Sequence, residues 1–85
     1  MPKKTDAQVQ TEIGALTQMQ PQLPQRARQA VDAALQVLRD NLSNDAVYDT
    51  FEEGTEEFED ALTACMWRDG VSGCQALSAQ YRDLI

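Results

Sequence analysis

Six carboxylates carry most of the chemistry open to this 85-residue chain: Asp49, Glu52, Glu53, Glu56, Glu57 and Asp60 fall within one stretch of twelve residues. Carboxylates so close in sequence can gather a hard cation, activate water or present a block of negative charge. A calcium loop is the first test, because residues 49–60 make a twelve-residue window with Gly54 at its sixth position. The fit is poor. Phe51 occupies the third ligand position, Glu56 stands where an apolar residue belongs, and the last ligand is Asp60 where such loops use a bidentate Glu.

Magnesium-assisted phosphoryl chemistry is the second test. Glu53/Glu56 and Glu57/Asp60 have the Glu-x-x-Glu and Glu-x-x-Asp spacings that resemble those of helical pyrophosphohydrolases. Gly54 and Thr55 interrupt the first pair, and no clear basic group follows to hold substrate phosphates. Such a site also draws its carboxylates from separate, facing helices. A magnesium-dependent hydrolase stays as an alternative; the primary expectation is a chain that is not an enzyme and carries no cofactor or metal.

The third possibility is a surface. Residues 45–60 hold eight acids and no base, whereas the whole chain has 14 acids and 7 bases. Outside the window the chain is close to neutral, so the net charge of −7 is a local feature. Helix N-termini favour acids by about 0.3–1 kcal/mol each, which accounts for Asp45, Glu56 and Glu57. Glu52 and Glu53 are expected in the last turn of a helix over 45–53, at the wrong end of its dipole. The pairs Asp45–Asp49, Asp49–Glu53, Glu52–Glu56, Glu53–Glu57 and Glu56–Asp60 are each four apart. On a continuous helix every such like pair costs on the order of 0.2–0.5 kcal/mol. Two explanations compete: a solvated, solubilising face, and a docking surface.

A docking surface of this charge repels nucleic acid and suits a basic protein surface. Carboxylates four apart on a helix lie about 6 Å apart along the axis, on the scale of neighbouring phosphates. They could therefore occupy a nucleic-acid-binding groove in place of phosphate. In size and charge, though not in any motif, the chain resembles small acidic proteins of phages and mobile elements, DNA-mimic inhibitors and anti-CRISPR proteins among them. That likeness implies an inhibitor or adaptor that binds a nucleic-acid-binding protein.

Other chemistries are narrow. With no histidine, a histidine-based triad is impossible, and two cysteines fall short of a structural zinc set. Cys65 and Cys74 are expected as reduced thiols; a disulfide between them depends on a Cα separation that spacing does not fix. Trp67 lies about half a turn from the apolar stripe of its helix. Burial under the first or fifth helix is the expected outcome, and exposure as a binding anchor is the alternative. There is no apolar run of membrane-spanning length, and no apolar segment follows the basic start of the chain, so the expected location is cytoplasmic with no membrane partner.

These residues need elements to position them. Residues 1–4 are expected to fray. Thr5 and Gln8 form a capping-box pattern, after which Val9, Ile13 and Leu16 recur at helical spacing, until Pro21 and Pro24 stop the helix. A second helix over 25–42 carries Ala27, Val31, Ala34, Leu35, Leu38 and Leu42 on one face, widened by Ala30 and Val37, and is expected to be central. Ser43 or Asn44 caps a third helix over 45–53, with Val47 and Phe51 inward, Tyr48 at the edge and Gly54 as its C-terminal stop. Thr55 caps a fourth helix reaching about residue 69, with Phe58, Ala61, Leu62, Cys65 and Met66 at amphipathic spacing and Gly70 as its end. A capping-box pattern at Ser72 and Gln75 starts a fifth helix to the C-terminus, with Cys74, Leu77, Tyr81 and Leu84 inward.

The sequence therefore reads as one all-α domain over 1–85, a small bundle of four to five short helices. Its expected function is to bind a basic protein surface through the acidic face at 45–60, with Glu52, Glu53, Glu56 and Glu57 as main contacts and Asp49 and Asp60 flanking. The alternatives are the hydrolase and a structural or regulatory homodimer joined through the first or second helix, whose acidic face is only solvated.

Overall fold

The computed structural model describes residues 2–85, and every regular element among them is helical. Helix α1, Asp6–Met19, opens on the expected capping box: the Gln8 amide donates to Thr5 Oγ1 at 3.2 Å, and the Thr5 amide donates to Gln8 Oε1 at 2.8 Å. Pro21 does not stop the chain dead. It sits in the first turn of a short 3-10 helix, Gln20–Gln22, where a missing amide donor costs nothing.

Helix α2 covers Gln25–Asp40 and ends two residues before the expected position. Asn41 takes the left-handed conformation at φ 52, and the Leu42 amide closes back on the Val37 carbonyl at 3.0 Å. That six-to-one bond is of Schellman type, with Asn in the place glycine usually fills. Ala30, Val31, Ala33, Ala34, Leu35, Val37 and Leu38 are all buried on α2, while Ala27 and Leu42 are half-buried. The helix is central as expected, packing on α1 and most extensively on the fourth helix.

Helix α3 is only Asn44–Thr50, capped by Ser43 Oγ accepting from the Ala46 amide at 3.1 Å. The expectation of a helix to residue 53 is corrected here: Phe51 is already extended, at φ −116 and ψ 147. Phe51 turns out of the helix because its ring is half-buried against the core, so Glu52 and Glu53 fall in a loop. Gly54 is consequently not the stop of α3. It supplies the positive φ of 89 for the turn that delivers Thr55 to the next helix.

Helix α4, Glu56–Arg68, is capped by Thr55 Oγ1 accepting from the Phe58 amide at 3.1 Å. It ends in a full Schellman motif, with the Gly70 amide on Trp67 O at 3.1 Å and the Val71 amide on Met66 O at 3.0 Å. Its buried face is Phe58, Ala61, Ala64, Cys65, Trp67 and Arg68; Leu62 and Met66, expected inside, are half-buried.

Helix α5 is the short Leu77–Tyr81, followed by a 3-10 turn over Arg82–Leu84. The capping box expected at Ser72 and Gln75 does not form, and α5 follows Ala76, an N-cap residue with no side-chain cap to offer. Leu77 and Tyr81 are buried as expected, Cys74 is half-buried, and Leu84 is exposed. The Lys4 amide donates to the Arg68 carbonyl at 2.8 Å, so the segment before α1 is tied to the end of α4; Met1 lies outside the described residues.

The direction of packing follows from these contacts. Arg26 reaches Glu56 at 2.8 Å, while the Leu42 carbonyl faces Cys65 Sγ at 3.8 Å, so α2 and α4 run parallel, with α3 as the crossover between them. Gln20 Nε2 donates to Arg28 O at 2.9 Å, and Arg39 Nη2 donates to Thr17 Oγ1 at 3.2 Å, so α1 runs antiparallel to α2. One hydrophobic core results, with Leu16, Val31, Val37, Val47 and Cys65 sealed from solvent inside it.

Candidate protein-docking face

A parallel pair of helices puts both amino ends at one pole. The 51–55 loop and the first turns of α4 sit there, beside the start of α2, and α3 leads to them from the far end of α2. The positive ends of the α2 and α4 dipoles therefore favour the acids there. This corrects the expectation that Glu52 and Glu53 oppose a helix dipole: they stand in the loop leading into α4, not in the last turn of α3. Nor does the ladder of like pairs survive. Of the five, only Asp45–Asp49 and Glu56–Asp60 lie within a single helix.

The six expected contact residues separate into two groups. Asp49, Glu52, Glu53 and Glu56 are exposed. Glu57 and Asp60 are half-buried. Asp60 is the most perturbed: burial, then the charges of Glu56, Glu59 and Glu57, push its carboxyl up from 3.8 to about 6. It is the innermost member of the cluster. Glu59 and Asp45 add exposed carboxylates that the six did not include.

Bases are scarce at this pole. Among the described residues one ion pair joins the window to a base, Arg26 Nε to Glu56 Oε1 at 2.8 Å, and its Arg26 side chain is 81% exposed. Asp49, Glu52 and Glu53 make no ion pair among the described residues. One aromatic residue completes the face. Tyr48 is 47% exposed on α3 and meets Phe58 of α4 edge-on, with ring centroids 5.1 Å apart and planes at 69°. A large, half-exposed ring amid exposed carboxylates is the mixture that interface hot spots favour.

The metal readings find no geometry. Among the described residues no three Asp, Glu or Cys side chains converge as a cation's ligands would. The reason is topological: Asp49 belongs to α3, Glu52 and Glu53 to a loop, and Glu56, Glu57 and Asp60 point around α4, so the carboxylates spread over a surface.

At the opposite pole α4 ends in a buried polar group. Arg68 is 5% exposed; its Nε donates to Asp69 Oδ1 at 3.1 Å and its Nη2 to Cys65 Sγ at 3.2 Å. Burial works to raise Asp69, but the hydrogen bond and charge of Arg68 prevail and hold its carboxyl below the ordinary range. Burial pushes the Cys65 thiol up, against the pull of Arg68, which opposes thiolate chemistry. Cys65 and Cys74 are both free thiols, Cys74 lying 3.5 Å from the Thr63 carbonyl. Trp67 is buried, as expected, and Lys4 Nζ stands 5.3 Å from its ring centroid.

Sequence reasoning missed Arg68, Glu12 and Ser78 as buried polar groups. The signal for two of them was present. Glu12 lies three after Val9 and four before Leu16, and Arg68 three after Cys65, so both occupy the apolar face of their helices. No protein-family model, curated protein or solved structure matches the chain.

Proposed function

We propose that this protein is a non-enzymatic inhibitor or adaptor that docks its acidic pole on a basic protein surface, such as the groove of a nucleic-acid-binding protein. The observation that carries this reading is the 51–55 loop: Glu52 and Glu53 stand exposed and unpaired by any base among the described residues, beside exposed Asp49 and the Tyr48 ring. Lys and Arg of a partner would meet carboxylates there in place of phosphate, and Tyr48 would supply the apolar anchor. The DNA-mimic and anti-CRISPR type of small acidic protein is the kind of molecule this describes, and a cytoplasmic setting goes with it.

The homodimer alternative through α1 or α2 draws less support. The exposed large apolar residues among the described ones are Tyr48, Val71, Leu84 and Ile85, none of them on those helices. The magnesium hydrolase lacks convergent carboxylates.

The test uses an Asp49→Asn, Glu52→Gln, Glu53→Gln triple variant, whose positions are all exposed and outside the core. Both proteins serve as bait for a bacterial lysate at low and high salt, after circular dichroism confirms equal helicity. A nucleic-acid-binding protein retained by the wild type at low salt, released by salt and lost with the variant supports docking through this face. At roughly 0.2–1 kcal/mol per exposed charge contact, three lost contacts weaken binding about tenfold. A partner retained equally by both baits refutes it.

A further inference from the structure

Four of the chain's seven basic side chains converge at the pole opposite the acidic face. Lys3, Lys4, Arg39 and Arg68 line one cleft of about 340 Å³ together with Asp6 and Asn41. The parallel α2 and α4 helices keep it apart from the 51–55 loop and the start of α4: Arg26 and Arg39 are thirteen residues apart on α2, about 20 Å along the axis.

Helix dipoles explain part of this. Arg39 and Arg68 lie in the last turns of α2 and α4, where a cation offsets the partial negative charge of the terminal carbonyls. Lys3 and Lys4 are beyond that need; they come from the segment before α1, which the Lys4–Arg68 backbone hydrogen bond holds in place. Asp6 in the cleft and Asp69 on Arg68 offset two of the four cations and leave two uncompensated, in a chain whose net charge is −7.

A second observation is independent of that count. The guanidinium of Arg68 is permanently charged, and its residue is 5% exposed. Nε and Nη2 are satisfied by Asp69 and Cys65, while buried Nη1 has no hydrogen-bond partner. Native structures rarely leave a buried charged donor unpaired, and such a group points to a ligand or ion. Arg68 also lines the cleft, so an anion seated there would stand beside its charge.

We propose that this cleft binds the phosphate group of a small molecule. A phosphate dianion brings two charges to two uncompensated cations and several acceptor oxygens to the Lys and Arg donors around it. The cleft volume lies at the lower end of small-molecule sites, enough for a phosphate with a modest appended group. A nucleic-acid strand is a poorer occupant, since the rest of the molecule repels it.

The test is a titration of the ¹⁵N-labelled full chain with inorganic phosphate and, separately, with adenosine monophosphate, against sodium chloride at matched ionic strength. Saturable shifts are expected at the Lys4 and Asn41 amides and the Arg68 Nε–H, with a rise in melting temperature that tracks ligand concentration. The double variant Lys3→Gln, Arg39→Gln, exposed at both positions, retains its helicity and loses about tenfold in affinity. Equal or tighter binding of inorganic phosphate assigns the site to free phosphate; tighter binding of the nucleotide assigns it to a phosphorylated small molecule. Shifts that never saturate, that chloride reproduces, or that the double variant leaves unchanged overturn the proposal.

Discussion

Glu12 of α1 caps α5 from across the molecule: its Oε2 accepts from the Ser78 amide at 3.0 Å, and its Oε1 accepts from the Ser78 hydroxyl. Glu12 is 6% exposed and Ser78 likewise, 66 residues apart in sequence. Ser78 is the second residue of α5, a helix too short to hold itself and without a cap from Ala76. The bond therefore satisfies one of the orphan amides of a helix start and fastens the C-terminal segment to α1. Glu12→Ala is expected to cost about 1–3 kcal/mol, the range for a buried hydrogen-bonding group lost, and to release the amide of Ser78 and its neighbours to fast hydrogen exchange. Unchanged protection there would show that α5 is held by Leu77 and Tyr81 alone.

Asp60 ties stability to pH. Its folded pKa, about 6, lies above the ordinary 3.8 because of burial and of Glu56, Glu59 and Glu57. Between those values the folded state binds a proton that the unfolded state has released. Stability therefore falls as pH rises from about 4 to about 6 and is level above. Discounted for a half-exposed group, the loss is about 1 kcal/mol. Asp60→Asn is expected to flatten the denaturation midpoint between about pH 4 and about pH 6 and to raise it at neutral pH. A variant with the wild-type slope would place the titration elsewhere.

Arg26 matters to charge more than to stability. Its ion pair with Glu56 is solvent-exposed on both sides, so Arg26→Gln should change unfolding free energy by no more than about 0.5 kcal/mol. It removes the base that faces the acidic window, and tighter, more salt-sensitive binding to a basic partner is the expected result. Weaker partner binding would mean that Arg26 is itself a contact.

Tyr48 separates an apolar anchor from a bare charge effect. Losing its edge-to-face contact with Phe58 costs about 0.5–1.5 kcal/mol of stability. If the acidic pole docks as proposed, Tyr48→Ala also weakens the partner at high salt, where charge contacts are screened. Tyr48→Ala binding that equals wild type at every salt concentration would confine the interface to the carboxylates.

Trp67, the chain's single tryptophan, reports on the segment before α1. Lys4 stands over its ring, and the Lys4 amide holds the Arg68 carbonyl. Removing residues 1–4 should uncover the indole and move its emission to longer wavelength. An unmoved emission maximum would show that α1 alone shields it.

The helices themselves were legible because each is announced locally. Thr5, Ser43 and Thr55 cap the helices they were expected to cap, and the α2 stripe from Ala30 to Leu38 is buried as its period implied. A cap needs only the residues three positions on, and a stripe only its own spacing. Where α3 stops was not legible, since Phe51 leaves the helix to reach a core built by other elements. That one departure moved Glu52 and Glu53 into a loop and dissolved the ladder of like pairs.

Sequence by itself determined an all-helical chain, a central α2 and a concentration of acid at 45–60, because local periodicity and composition carry those properties. Tertiary structure alone decided that α2 and α4 run parallel. It thereby decided that Glu52, Glu53 and Glu56 gather at one pole and four of the seven bases at the other, that Asp60 turns inward while Glu52 and Glu53 face out, and that Glu12 and Ser78 meet. Each of these depends on which distant residues share a neighbourhood, and burial and charge act through space without regard to separation along the chain.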